Sequence, residues 1–193
     1  MEKGSYLGVI LRSNKTVFSF KDIGLLWNDF SPAARVRLNY YVKKGELYWI
    51  RRGFYAKSKE YDRLELAGRM YVPSYISFET VLGPAGITFQ YYGKITAASY
   101  LTRVIASEGQ TYSYRKIKNI LLTDSRGVEN KEAYAIAGKE RAFLDVLYIN
   151  KDYYFDNLRP LDWDKIFEIL PIYKNKRMEK RAKEIYKEFK DNQ

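Results

Sequence analysis

Arg35, Asn39 and Lys43 stand at i, i+4 and i+8 of one stretch, and Arg51-Arg52 immediately precede Gly53 in the next. Side chains four residues apart project from the same side of a helix. A guanidinium, an amide and an ammonium aimed together supply hydrogen bonds for base edges and charge for phosphates. The stretch "SPAARVRLNYYVKKGEL" carries matched signals for that helix, with Ser31 as N-cap, Pro32 at the first helical position, and Gly45 after two lysines as the stop. At about 100° per residue, Ala34, Leu38, Tyr41 and Val42 fall on one face, and Arg35, Asn39, Tyr40 and Lys43 on the other. Next, "KKGELYWIRRGFYAKS" reads as a β-hairpin: residues 47–50 run outbound, Arg51-Arg52-Gly53 turn, and residues 54–57 return. Gly53 accepts the positive φ that a tight hairpin turn needs.

The elements before these have to position them. "TVFSFKDIGLLW" offers Ser19 as N-cap, Asp22 in the first turn, and Ile23 with Leu26 on one side, which predicts a short helix; residues 6–12 predict an amphipathic helix ahead of it. Helix, short helix, polar-faced helix and basic hairpin is the order of a winged helix-turn-helix. In that arrangement the polar-faced helix enters the major groove and the hairpin touches the backbone or minor groove. The residues expected to face DNA are Arg35, Arg37, Asn39, Tyr40, Lys43, Lys44, Arg51 and Arg52. Charge agrees with them. Of a net charge of +11, residues 1–60 hold +7, and residues 31–59 set eight basic side chains against Glu46 alone. A concentrated basic excess attracts a polyanion.

Composition excludes several kinds of chemistry. Cysteine and histidine are both absent. Zinc sites built on them, thiol nucleophiles, Ser-His-Asp triads and histidine general bases are therefore impossible. The N-terminal apolar run is too brief for a signal peptide and no stretch reaches membrane-spanning length, so the expectation is a cytoplasmic protein without membrane attachment. No coiled-coil heptads advertise a dimer, which predicts a monomer in solution, with two copies meeting on an inverted repeat.

Beyond residue 60 the pattern becomes mixed. "DRLELAGRM" reads as a helix stopped at Val72-Pro73, and Ser74 as the cap of a second helix with Tyr75, Phe78 and Leu82 on one side. The runs "ITFQYYG", "ITAASY" and "TYSYRKIKNILL", rich in β-branched and aromatic residues, read as strands. Phe143, Leu144, Leu147 and Tyr148 predict a helix, residues 162–170 another broken by Pro171, and Met178, Ala182, Ile185, Tyr186 and Phe189 form the apolar stripe of a last, densely charged one. The expected fold is thus α+β, with a winged helix-turn-helix over residues 1–60 and a mixed α+β domain over 61–193.

Glu79, Asp145, Asp156, Asp162 and Asp164 are the acids that a magnesium site would draw on. Asp162 sits at an N-cap position and Asp164 in a first helical turn, so capping and the helix dipole explain both. The glycines follow no phosphate-loop spacing. No metal, cofactor or catalytic residue is expected. Tyr91-Tyr92, Tyr112, Tyr114 and Tyr153-Tyr154, beside Arg115, Lys116 and Lys118, offer an aromatic platform for single-stranded RNA as a minor reading.

Four stretches, "VKKGELYWIRRGFYA", "LAGRMYVPSYISFETVLGPAGI", "GKERAFLDVLYI" and "YFDNLRPLDWDKI", give the chain a likeness spanning nearly its whole length. It resembles the AbiEi antitoxins of bacterial type IV toxin–antitoxin systems, which act in abortive infection and phage defence. "PSYISFETVL" is the most specific part. Where relatives have a small residue and proline before the Glu-Arg pair, this chain has Gly138-Lys139. The resemblance implies a winged helix that represses its own operon and a C-terminal domain that counters a nucleotidyltransferase toxin without a stable complex. Arg141, Asp156, Arg159 and Asp164, taken as exposed polar residues of the family-like stretches, are the expected determinants of neutralisation. The alternative is an orphan winged-helix regulator whose C-terminal domain senses a ligand or partner.

Overall fold

Helix α1 (Lys3–Arg12) opens a computed structural model that describes residues 3–90 and 93–191. The chain divides into two compact units, Met1–Arg69 and Met70–Gln193. In the first unit, α1 is followed by β1 (Val17–Ser19), α2 (Phe20–Trp27), α3 (Pro32–Lys43), β2 (Tyr48–Arg51), β3 (Phe54–Ala56) and most of α4 (Arg63–Met70).

Local chemistry sets these limits. Ser19 and Asp22 form a capping box at the start of α2, and Asn28 ends that helix in the left-handed conformation. Ser31 caps α3, with Pro32 in its first turn. Gly45 and Gly53 take φ of +72° and +86° at the two turns that follow. Strand β3 is central in an antiparallel sheet of order β1-β3-β2, pairing Phe18 with Tyr55 and Trp49 with Tyr55 on its two sides. The faces of α3 divide as the periodicity predicts. Ala34, Leu38 and Tyr41 join Ile10, Phe18, Ile23, Trp27 and Leu47 in the core, while Arg35, Asn39, Tyr40 and Lys43 are exposed.

The division between units falls before the last residue of α4, nine residues beyond the expected boundary at residue 60. Helix α4 is tied to the first unit by ions. Glu65, buried, accepts hydrogen bonds from the Thr16 amide and hydroxyl at 2.8 and 2.7 Å. Arg69 reaches back to Glu65 at 3.0 Å and across to Asp22 at 2.9 Å. Burial works against the Asp22 charge, but the Ser19 hydrogen bonds and Arg69 prevail and hold its carboxyl below the usual range.

The second unit contains β4 (Ser74–Ile76), α5 (Glu79–Leu82), β5 (Lys94–Ser99), β6 (Arg103–Ser107), β7 (Gln110–Lys116), α6 (Asn119–Leu122), β8 (Val128–Asn130), β9 (Ala135–Ala137), α7 (Lys139–Ile149), α8 (Trp163–Ile169), a 3₁₀ turn (Leu170–Tyr173) and α9 (Lys176–Asp191). Six strands form one mixed sheet of order β6-β7-β5-β4-β9-β8, in which β5 with β7 and β4 with β9 are parallel and the other neighbours antiparallel. Tyr75, Ala98 and Ala137 from strands share a core with Phe143 and Leu147 of α7, Ile166 of α8, and Met178, Ala182 and Ile185 of α9.

Several expectations change here. Ser74 begins a strand and caps no helix, because Tyr75 and Ile76 pair with β5 and β9; Phe78, at φ +61°, then turns the chain into the short α5. Such a conformation costs a non-glycine residue about 1–3 kcal/mol. Tyr91-Tyr92 lie outside the described residues, the described residues 87–90 are irregular and form no strand, and Asn119–Leu122 are helical rather than extended. Helix α8 does end just ahead of Pro171, at Ile169, but the chain winds on through a 3₁₀ turn that contains the proline. Asp162 caps α8, as its position suggests. Among the described residues, no helix is long and apolar enough to cross a membrane.

Candidate nucleic-acid interface

Between α3 and the hairpin lies a groove of about 390 Å³, lined by Phe20, Arg35, Leu38, Asn39, Trp49, Arg52, Gly53 and Tyr55. Leu38 and Ile50 anchor its two walls in the core, which fixes where the neighbouring polar residues point. Arg35 lies over the Phe20 ring, 4.3 Å from its centroid, which holds its cation at the rim. Asn39 and Arg52 stand on opposite rims, both exposed. Four residues on from Asn39, Lys43 extends the exposed face of α3. The Lys44 ammonium lies 4.9 Å from the Tyr40 ring centroid, and a hydrogen bond to the Tyr40 hydroxyl holds it above the usual lysine range.

Of the eight residues expected to face DNA, Arg35, Asn39, Tyr40, Lys43, Lys44 and Arg52 are exposed on α3 or the hairpin turn. Arg37 is not available in the same way. It pairs with Asp29 at 3.1 Å and stacks 3.8 Å above the Tyr6 ring, bracing α3 against α1. Arg51, the last residue of strand β2, is half-buried. The sequence reading passed over Trp49 and Val36, which are 51% and 69% exposed. Strand alternation was the available signal for the first: Ile50 is buried, so its neighbour must face outward. Val36 carries no signal that distinguishes it from a core position except its offset from Ala34 and Leu38.

In the second unit, Arg141 is corrected from an exposed determinant to the centre of a buried polar network, at 0% exposure. It donates to the Leu121, Arg126 and Asp124 carbonyls at 2.7, 2.8 and 3.3 Å, to the Tyr75 hydroxyl at 2.8 Å, and to Asp145 at 3.3 Å. Asp145 also accepts from Tyr75, Ser77 and Tyr173 at 2.9, 2.8 and 2.6 Å. Burial pushes the Asp145 carboxyl up, against the opposing pull of Arg141 and the three hydroxyls. Asp156, Arg159 and Asp164 are exposed, as expected. The Asp156 carboxylate accepts from the Phe89 amide at 2.7 Å, and among the described residues no ion pair joins these three to one another.

The aromatic platform is also revised. Tyr112 and Tyr114 are buried in β7 and Arg115 is held by Glu79 at 2.8 Å, so these three offer nothing to a single strand; Tyr154, Lys116 and Lys118 are exposed, and Tyr91-Tyr92 lie outside the described residues. Glu79 is thereby a structural partner, like Asp162 at its cap. No protein-family model matches this sequence, and no curated protein is significantly similar to it.

Proposed function

We propose that the first unit is a winged helix-turn-helix that binds duplex DNA, that the chain represses its own promoter through it, and that the second unit is an antitoxin acting against a nucleotidyltransferase toxin. One observation carries the DNA reading: Arg35 and Asn39 on α3 face Arg52 on the hairpin turn across a single groove. Helix α3 is the element for the major groove, and the hairpin is the wing on the flanking backbone. Asn39 suits an adenine edge and Arg35 a guanine edge or a phosphate. No acidic side chain lines the groove, and the surrounding charge is strongly positive.

The antitoxin reading rests on the four family-like stretches, with Asp156, Arg159 and Asp164 as its exposed candidates. Promoter DNA bearing an inverted repeat is the first partner and the toxin the second, the latter without a stable complex. The test pairs two assays on the full chain. Fluorescence anisotropy on its own upstream DNA should give binding that outcompetes random duplex. Co-expression with a neighbouring nucleotidyltransferase gene should restore growth. Growth rescue by a variant that cannot bind DNA supports a separate antitoxin activity; loss of rescue in that variant assigns protection to repression alone.

A further inference from the structure

We propose that Trp49 is a DNA-contacting residue, its indole packing on the deoxyribose of one strand of a duplex seated in the groove, with Arg35 and Arg52 on the phosphates to either side. This rests on the duplex-binding reading above.

Of the three tryptophans, Trp27 and Trp163 are 2% and 8% exposed, whereas Trp49 is 51% exposed. A tryptophan left half in water forgoes the burial that usually makes the residue worth having, and exposed aromatics of this kind are the commonest anchors of binding surfaces. Its placement is specific. Trp49 pairs with Tyr55, so both rings lie on the groove side of the hairpin, and the register shifts between Trp49 and Arg51. In a regular strand, residues three apart point to opposite faces. The bulge at Ile50 offsets that alternation and leaves Trp49 and Arg52 lining the same groove.

The groove therefore has an apolar floor of Phe20, Leu38 and Tyr55, an indole on one wall, and guanidinium groups on both rims. A ligand that fits must present an apolar face flanked by anions. In a duplex the base faces are already stacked, and the flat apolar surface its backbone offers is the sugar between two phosphates.

The experiment uses the full chain and a 24-bp random-sequence duplex at low salt. Because the other two indoles are buried, acrylamide quenching of tryptophan emission reports Trp49. Duplex should protect it, and the single strand of the same sequence should protect it less. Trp49→Ala should weaken duplex binding about tenfold, the ratio corresponding to 1.4 kcal/mol of lost apolar contact, and Trp49→Phe should recover most of it. The slope of log affinity against log salt should stay unchanged, since no charge is removed. If duplex binds the native chain but leaves Trp49 as open to acrylamide as before, the inference fails and the DNA reading stands. Equal protection by single strand also overturns it. Absence of any duplex binding removes both.

Discussion

Replacing Asp145 with alanine removes the acceptor at the centre of the buried network while leaving Arg141 in place. The guanidinium then keeps its three carbonyl partners and Tyr75 but has no counter-ion, at a site with no access to water. Tyr75, Ser77 and Tyr173 lose their acceptor as well. Breaking one side of a buried ion pair costs about 3–5 kcal/mol. Against a total stability of about 5–15 kcal/mol, that is a large share. At about 3–6 °C per kcal/mol for a unit of this size, the melting temperature should fall by about 10–30 °C. Asp145→Asn retains acceptor capacity for the hydroxyls and should fall between alanine and the native chain. Arg141→Lys should also destabilise, because one ammonium cannot reach Leu121, Arg126, Tyr75 and Asp145 together. Calorimetry of the full chain, with near-ultraviolet circular dichroism as a second probe, reads the shift. An Asp145→Ala variant melting within about 3 °C of the native protein would refute the reasoning, since one kcal/mol or less is then at stake. The same series separates structure from neutralisation: any loss of toxin protection in Arg141 variants should track melting.

Acid should weaken the first unit through Asp22. Its folded carboxyl lies below the unfolded value, so the stability it contributes is complete above the unfolded carboxylate pKa of about 3.9 and is lost as pH falls through the folded one. Asp22→Asn should flatten the melting-temperature profile below about pH 4; an unchanged profile counts against the Ser19–Asp22–Arg69 cluster. A fragment of residues 1–69 should melt higher than one of residues 1–60, because only the longer one keeps Glu65 and Arg69, and equal melting would place the boundary where the sequence suggested. Gly127→Ala should lower the melting temperature of the second unit, since its φ is +69° and a Cβ there would lie 2.7 Å from the Ile169 side chain and 2.9 Å from that of Arg141. Thermal unfolding unaffected by this methyl would contradict the packing described around Arg141.

The first unit was largely legible in the sequence because its signals are local. Ser19, Ser31 and Pro32 fix helix starts, and the period of Ala34, Leu38 and Tyr41 fixes which face of α3 is inside. What escaped was long-range. Arg37 has the same sequence character as Arg35, yet its fate is decided by Asp29 and Tyr6. Glu65 and Arg69 look like ordinary helix-surface charges until Thr16 and Asp22 arrive from distant positions. Arg141 shows the effect most strongly, as a charge that composition assigns to the surface and five partners draw into the core. The Ser74–Leu82 stretch misled for a different reason: buried Tyr75, Phe78 and Leu82 fit a helical period, but a positive φ at Phe78 lets a strand and a short helix bury the same three.

The groove between α3 and the hairpin is tested most directly by the salt dependence of binding to the duplex that the protein itself selects from a random pool. Arg52→Ala should lower the slope of log affinity against log salt by about 0.9, one phosphate contact, and weaken all sequences alike. Asn39→Ala should leave the slope intact and cost about 1–3 kcal/mol of discrimination between the selected and a random duplex. If both variants bind with native affinity, slope and discrimination, the proposal that this groove seats a duplex fails.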